Sequence, residues 1–182
     1  MDNIAARIAS LEARVATLEG RPVEEPAEVS HSSAAVIVYT DGSCLGNPGA
    51  GGWGWICTEG QFRGGHEKQT TNNRMEMMAV VQAIETFQSH DKDIVVFSDS
   101  EYVCNGINKK WFVNWERNGW KTKKGTPVKN MDLWKRLVRL FQRNSVDLQW
   151  VKGHQTQEKW NNLADKLARE CATQQKDVEG RL

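Results

Sequence analysis

The chain has 182 residues, of which 39% are hydrophobic and 26% are charged. This composition supports one packed domain and excludes disorder throughout the chain. The longest apolar runs fall far short of the ~18 residues of a membrane-spanning helix, and the N-terminus lacks the apolar stretch of a secretory signal. The four cysteines show no CxxC spacing, which argues against a zinc site or a disulfide framework. We therefore expect a cytoplasmic protein with reduced thiols.

The net charge of +1 conceals a segregation of charge along the chain. Residues 1–35 carry a net charge of −3, whereas residues 109–129 carry +6. Four of the eight tryptophans lie in or beside the second stretch: Trp111, Trp115, Trp120 and Trp134. Cations interleaved with aromatic residues are typical of a nucleic-acid surface. A solvated helical face whose tryptophans point into the core has the same composition, so both interpretations remain open here.

The first 20 residues carry a heptad pattern. Apolar residues recur at spacings of 4, 3, 4 and 3, as in a coiled-coil seam: Ile4, Ile8, Leu11, Val15 and Leu18. We predict an N-terminal helix over 1–20, a flexible linker over 21–35, a main domain over 36–175 and a C-terminal tail over 176–182. Because two heptads are marginal in isolation, we expect residues 4–18 to bind a second copy, a partner protein or the main domain.

The main domain alternates β-type and helix-type patterns. Three β-rich runs at 36–41, 51–58 and 61–70 predict an antiparallel meander. The later predicted elements are a helix at 74–88, a strand at 94–98, helices at 101–108, 110–116 and 131–143, a strand at 146–151 and a helix at 158–173. This order predicts an α/β fold with a five-stranded mixed sheet flanked by helices, the last strands being added through helical crossovers.

Four acidic residues stand out within these elements. Asp41 and Asp99 end strands that a helical crossover would make parallel, so both carboxylates should emerge at one sheet edge. Glu76 shares the inward stripe of its helix, where an unpaired carboxylate is costly, and Asp165 flanks the stripe of the last helix. Such an all-oxygen cluster suits Mg²⁺ or Mn²⁺. A turn former, a helix cap and a surface charge also explain Asp41, Asp99 and Asp165 individually, but Glu76 fits no such explanation.

Four strings in chain order resemble the signatures of ribonuclease H type 1 in its bacterial form. They are residues 41–49 (DGSCLGNPG), residues 70–76 (TTNNRME), residues 98–100 (SDS) with Tyr102 and Val103, and residues 150–154 (WVKGH) with Asn161 and residues 165–168 (DKLA). The resemblance runs collinearly from about residue 36 to residue 173. It implies the ribonuclease H-like fold.

The resemblance also implies an activity and a set of site residues. The activity is hydrolysis of the RNA strand of RNA/DNA hybrids by two Mg²⁺ ions, with Mn²⁺ as an alternative, leaving 5′-phosphate and 3′-hydroxyl ends. Asp41, Glu76, Asp99 and Asp165 would hold the metal ions, and His154 would assist proton transfer or product release. Nine residues would contact the substrate: Asn47, Asn72, Asn73, Lys109, Lys110, Trp111, Lys121, Lys123 and Lys124.

The sequence departs from the family pattern in three places. Glu101 stands where an amide is expected, and a carboxylate there faces phosphates unfavourably. The interval from His154 to Asp165 is one residue longer than usual, and Asn162 replaces a glutamate. Two other functions are weighed against the hybrid-specific nuclease: a catalytically weak nucleic-acid-binding module, and a DNA nuclease of the wider ribonuclease H-like superfamily. The full carboxylate set disfavours the first, and the basic stretch with Asn72 and Asn73 disfavours the second.

Overall fold

The computed structural model describes residues 35–88, 92–153 and 159–182. The predicted heptad helix, nearly all of the linker and His154 lie outside these ranges. The strands are β1 (Val36–Leu45), β2 (Gly49–Cys57), β3 (Gln61–Thr70), β4 (Ile94–Ser98), β5 (Val146–Trp150) and β6 (Val178–Arg181). The helices are α1 (Asn72–Phe87), α2 (Glu101–Asn108), α3 (Trp111–Arg117), α4 (Met131–Arg143) and α5 (Lys159–Gln174). No helix among the described residues is long and apolar enough to span a membrane.

The strands form one mixed sheet in the order β5-β4-β1-β2-β3-β6. Strands β1, β2 and β3 make the predicted antiparallel meander, and β1, β4 and β5 run parallel to one another. The α/β fold class and the mixed sheet are therefore confirmed. Helices connect the parallel strands, because a parallel connection has to cross over the face of the sheet.

The prediction of five strands is wrong by one. β6 pairs antiparallel with the start of β3, from Gln61↔Arg181 to Gly64↔Val178, so part of the predicted tail belongs to the sheet. The four residues of β6 are all exposed and show no apolar alternation. The strand is held by hydrogen bonding to an open sheet edge, which leaves no burial pattern for the sequence to reveal.

Strand β1 also extends further than predicted. We expected it to end at Asp41, before Gly42, yet it continues to Leu45. The reason is its second neighbour: pairing with β4 ends at Thr40↔Ser98, but pairing with β2 continues to Leu45↔Ala50. Asp41 thus lies where β1 and β4 separate, at the carboxyl end of the parallel pair.

Helices cover both faces of the sheet, and glycines allow them to lie close. Helix α1 covers one face with a fully buried stripe that includes Met75, Val80 and Ile84. A Cβ atom on Gly42 would lie 2.1 Å from the backbone nitrogen of Glu76, so only glycine lets α1 approach β1 this closely. On the other face, α5 packs on β1 and β2, with Ala164 in the cluster that includes Tyr39 and Ile56.

Candidate active site

The four predicted carboxylates line a single cleft of about 380 Å³. Asp41 comes from β1, Glu76 from α1, Asp99 from the residue after β4, and Asp165 from α5. The cleft opens at the carboxyl end of the parallel strands, where α/β sheets place their sites. Residues that are 124 positions apart in the chain therefore meet because α1 and α5 pack on opposite faces of β1.

Asp41 is the most buried of the four acids, at 6% exposure. Its Oδ1 accepts a hydrogen bond of 2.7 Å from the backbone N–H of Gly42, which favours the charged form. Burial and the nearby charges of Asp99 and Asp165 outweigh that bond and raise the pKa of Asp41 to about 9. Such a perturbed carboxyl group in a cleft is typical of a functional site.

Each carboxylate oxygen of Glu76 has one polar partner. Its Oε1 accepts a hydrogen bond of 2.7 Å from Nδ2 of Asn72, and its Oε2 accepts one from the Ser100 hydroxyl. Burial nevertheless raises the pKa of Glu76 to about 7, since the gain from the Ser100 and Asn72 bonds is smaller than the cost of desolvation. The helix stripe thus correctly predicted an inward carboxylate. Its two hydrogen bonds offset part of the cost of burying it.

Asp165 forms an ion pair within its own helix. Its Oδ1 accepts a bond of 2.8 Å from Nε of Arg169, one turn later, and Arg169 also lines the cleft. Among the described residues, no three acidic, histidine or cysteine side chains form a group ready to hold a metal ion. The donor chemistry nevertheless fits: the described wall of the cleft offers carboxylate oxygens, and the pKa of Asp41 is raised by burial and by the nearby charges of Asp99 and Asp165.

The predicted asparagine contacts lie at the mouth of this cleft. Asn72 lines it and joins Glu76, as described above. The backbone N–H of Asn72 donates a bond of 3.1 Å to Oδ1 of Asn47, which ties the turn after β1 to the start of α1. Asn73 and Asn47 are exposed. Glu101 is exposed as well, in the first turn of α2 next to Ser100.

The basic segment, residues 109–129, lies between α2 and α4. Lys109 and Lys110 join α2 to α3, and Trp111 begins α3. The other three predicted lysines, Lys121, Lys123 and Lys124, lie in the loop closed by the isolated bridge between Lys121 and Pro127. All five lysines are exposed. The described residues that line the carboxylate cleft include none of these lysines, whereas Asn72 of the predicted substrate contacts does line it.

Aromatic packing anchors the basic segment. Trp134 of α4 is fully buried, and its indole N–H donates a bond of 2.9 Å to the hydroxyl of Tyr102. Trp115 lies 5.3 Å from Trp134, and Trp120 lies 6.0 Å from Trp115, between ring centroids. The tryptophans therefore point inward while the cations face outward. The segment thus combines the core packing and the exposed basic surface that the composition alone left as alternatives.

Sequence reasoning assigned no role to three residues that contact the cleft acids. Ser100 caps α2 through its contact with the N–H of Val103 while its hydroxyl also reaches Glu76. Arg169 follows Asp165 by four residues, a spacing that signals a helix ion pair. The indole N–H of Trp150 donates to the backbone carbonyl of Asp99 at 3.1 Å, a contact between two strand ends that no local pattern reveals.

Comparison with known proteins accounts for this arrangement. A sequence profile of the RNase H family matches residues 33–173. The chain belongs to the ribonuclease H family. A ribonuclease H of Syntrophomonas wolfei is 47% identical over 137 residues, which cover 74% of this chain and 93% of the relative. One of Nitratidesulfovibrio vulgaris is 50% identical over 142 residues, which cover 76% and 89%.

The fold comparison agrees with this assignment. A crystal structure of a type 1 ribonuclease H that carries the type 2 active-site motif has a TM-score of 0.72 and 28% sequence identity, covering 85% of this chain and 80% of that one. The predicted family and fold are thus confirmed, and so is the prediction that the chain is a ribonuclease H enzyme. The roles of individual residues are a separate question.

Proposed function

We propose that this ribonuclease H cleaves the RNA strand of RNA/DNA hybrids by two-metal-ion hydrolysis, leaving 5′-phosphate and 3′-hydroxyl ends. The observation that carries the proposal is the convergence of Asp41, Glu76, Asp99 and Asp165 on one cleft in a chain of this family. A binding module has no use for a buried carboxylate whose pKa is raised to about 9.

The carboxylates would hold Mg²⁺, or Mn²⁺ in its place. Two such ions supply an activated water and stabilisation of the leaving oxygen. The chain's own residues prepare the site: Ser100 and Asn72 orient Glu76, and burial keeps Asp41 away from bulk water. One oxygen of Asp165 now accepts a bond from Arg169, so the carboxylate would have to share or give up this ion pair in order to hold a cation.

Substrate binding would be divided between two surfaces. Asn47, Asn72 and Asn73, at the mouth of the cleft, can donate to and accept from the 2′-hydroxyls that distinguish RNA from DNA. The basic segment, with Lys109, Lys110, Lys121, Lys123 and Lys124 exposed beside Trp111, would hold the DNA strand by its phosphates. Phosphate contacts of this kind position a duplex without reading its sequence.

Two further assignments belong to the same proposal. His154, which lies outside the described residues, would assist proton transfer or product release. The cytoplasm is the proposed location, because Cys44, Cys57, Cys104 and Cys171 are all free thiols.

The test is a comparison of four substrates. Labelled RNA/DNA hybrid, duplex DNA, duplex RNA and single-stranded RNA are incubated with the full chain and Mg²⁺, and product ends are mapped by phosphatase treatment and ligation. We expect cleavage of the RNA strand of the hybrid alone, with ends that carry a 5′-phosphate. Cutting of duplex DNA would support the DNA nuclease, and binding without cleavage would support the weak binding module.

A further inference from the structure

Asp99 differs from the other cleft acids because it lies outside any helix or strand. It follows β4, whose pairing with β5 ends at Ser98↔Trp150. The N–H of Val151 still donates to the carbonyl of Ser98 at 3.0 Å, so the two chains remain side by side as they leave the sheet. A ligand on such a segment needs neighbours to fix it, since a loop holds a side chain less precisely than a strand does.

One neighbour holds the main chain of Asp99. The indole Nε1–H of Trp150 donates to the backbone carbonyl of Asp99 at 3.1 Å. The Trp150 side chain is 49% exposed, which is unusual for the largest apolar residue at the end of a sheet strand. Core packing therefore does not account for the placement of this ring, and its polar edge makes the specific contact.

A second neighbour holds the carboxylate itself. A Cβ atom on Gly153 would lie 2.4 Å from Oδ2 and 3.3 Å from Cγ of Asp99, well inside the normal contact distance of about 3.5–4.0 Å. The Asp99 side chain therefore rests against the main chain of Gly153. A side chain at position 153 would push the carboxylate, which can move, rather than a backbone segment, which cannot.

From these contacts we infer that Trp150 and Gly153 are positioning residues that fix the main chain and the carboxylate of Asp99 for metal binding. The inference rests on the proposed function, in which Asp99 is a metal ligand. Groups that orient a metal ligand typically change metal affinity or activity by about 10- to 100-fold when they are altered. Trp150 at the end of β5 and Gly153 just after it thus shape the site, although neither residue needs to touch the metal or the substrate.

The test uses two variants of the full chain and a matched control. Gly153→Ala displaces the carboxylate, and Trp150→Phe removes the N–H donor together with part of the exposed ring. Gly180→Ala in β6 is the control, because a Cβ there would lie 2.9 Å from the movable ring edge of Phe62 in β3, and neither residue is among those that line the cleft. Mn²⁺ binding is measured by calorimetry without nucleic acid, together with the Mg²⁺ dependence of hybrid cleavage, the KM for hybrid and the Tm.

For Gly153→Ala we expect at least about tenfold weaker Mn²⁺ binding, a matching rise in the Mg²⁺ needed for half-maximal rate, and a Tm within about 2 °C of wild type. For Trp150→Phe we expect about three- to tenfold weaker Mn²⁺ binding, the worth of one hydrogen bond. At saturating Mg²⁺ the KM for hybrid stays the same in both variants. The control should match wild type throughout.

Unchanged Mn²⁺ affinity in both variants overturns the inference. If Gly153→Ala does not fold, Trp150→Phe decides the question alone. The proposed function fails separately, when the wild-type chain neither binds Mn²⁺ nor cuts hybrid. When the wild type does both and the variants behave like it, only the positioning role is refuted.

Discussion

The carboxylate cleft and the basic segment, which together carry the site, place their charges in opposite ways. In the cleft, Asp41 is 6% exposed and its like-charged neighbours help to raise its pKa to about 9. In the basic segment, every cation is exposed, and the half-buried tryptophans pack toward the buried Trp134 of α4. Charges concentrated in a buried site lower the stability of the fold. Charges that stay in solvent, on a segment anchored by aromatic packing, lower it little.

The contrast has a direct functional meaning. In the proposed function, a cleft whose buried carboxylates repel one another should bind a dication readily, because the ion would remove that repulsion. The exposed cations of the basic segment should bind phosphates of any sequence, with an affinity that depends on salt. We therefore expect changes in the cleft to affect turnover and stability together, and changes in the basic segment to affect substrate binding.

The largest expected effect comes from removing one cleft charge. In the proposed function Asp41→Asn takes away a ligand from the dication site, so we expect cleavage to fall by at least about 100-fold, the scale of electrostatic catalytic roles. Hybrid binding should remain, since the basic segment is intact. The Tm should rise, because Asn avoids the cost of burying an acidic group and the repulsion from Asp99 and Asp165, which together raise the pKa of Asp41. Retention of more than about a tenth of the wild-type rate would contradict the assignment.

The basic segment should respond differently. Replacing Lys121, Lys123 and Lys124 by Ala should raise KM about tenfold and flatten the salt dependence of binding by up to about 0.9 log unit for each phosphate that is no longer neutralised. Turnover should change little, because these residues hold ground state and transition state alike. The measurement is steady-state cleavage of a short hybrid at several salt concentrations.

A matched variant tests whether position matters or only net charge. Replacing Arg63, Lys92 and Arg181 by Ala removes the same charge from the opposite end of the sheet, since Lys92 precedes β4 and the other two lie where β3 pairs with β6. Its KM should stay within about twofold of wild type. A fall in turnover at unchanged KM in the Lys121, Lys123 and Lys124 variant would place the segment in catalysis or folding instead.

The pH dependence of the Tm without divalent ions measures how much the buried carboxyl groups of the cleft lower the stability of the fold. The folded-state pKa values of Asp41 and Glu76, about 9 and about 7, lie above the ordinary values of 3.8 and 4.5. Between those limits the folded chain keeps protons that the unfolded chain has released, so stability falls as pH rises. We expect the Tm to drop by about 5 °C or more from pH 5 to pH 9.

Two controls assign that drop to the cleft. Asp41→Asn should make the drop in Tm between pH 5 and pH 9 smaller. Saturating Mg²⁺ should do the same in the wild type, because a dication would take the place of the bound protons. The experiment is thermal denaturation followed by circular dichroism across the pH range. A Tm that is flat or rises between pH 5 and pH 9 would show that burial and the neighbouring charges do not raise the pKa values of Asp41 and Glu76.

The smallest expected effect concerns the acidic N-terminal segment, whose charge is opposite to that of the basic segment. If residues 4–18 form a dimer, two active sites act on one long hybrid at raised effective concentration. Deleting residues 1–32 should then slow cleavage of long hybrids about two- to threefold and leave short hybrids unaffected. Sedimentation of the full chain at tens of micromolar gives the oligomeric state. A monomer with unaltered long-hybrid cleavage would favour binding to a partner protein.

Some of this protein follows from the sequence alone. The strands and helices whose apolar residues face a core were predicted nearly to their ends, because burial leaves a period in the sequence. The carboxylate set also followed, since Glu76 interrupts an inward stripe and the four family strings stand in order. The resemblance placed Lys109–Lys129 as a basic surface, and burial in the structure accounts for its tryptophans.

Only the tertiary structure decided the rest. β6 is formed by backbone bonding to an edge, which leaves no side-chain pattern, and β1 continues past Asp41 because β2 still pairs with it there. The contacts of Ser100 with Glu76, and of Trp150 and Gly153 with Asp99, join residues that are 24 to 54 positions apart in the chain. A sequence records the periodicity of each element, but the close approach of two strand ends depends on how the elements pack, and no local pattern carries that information.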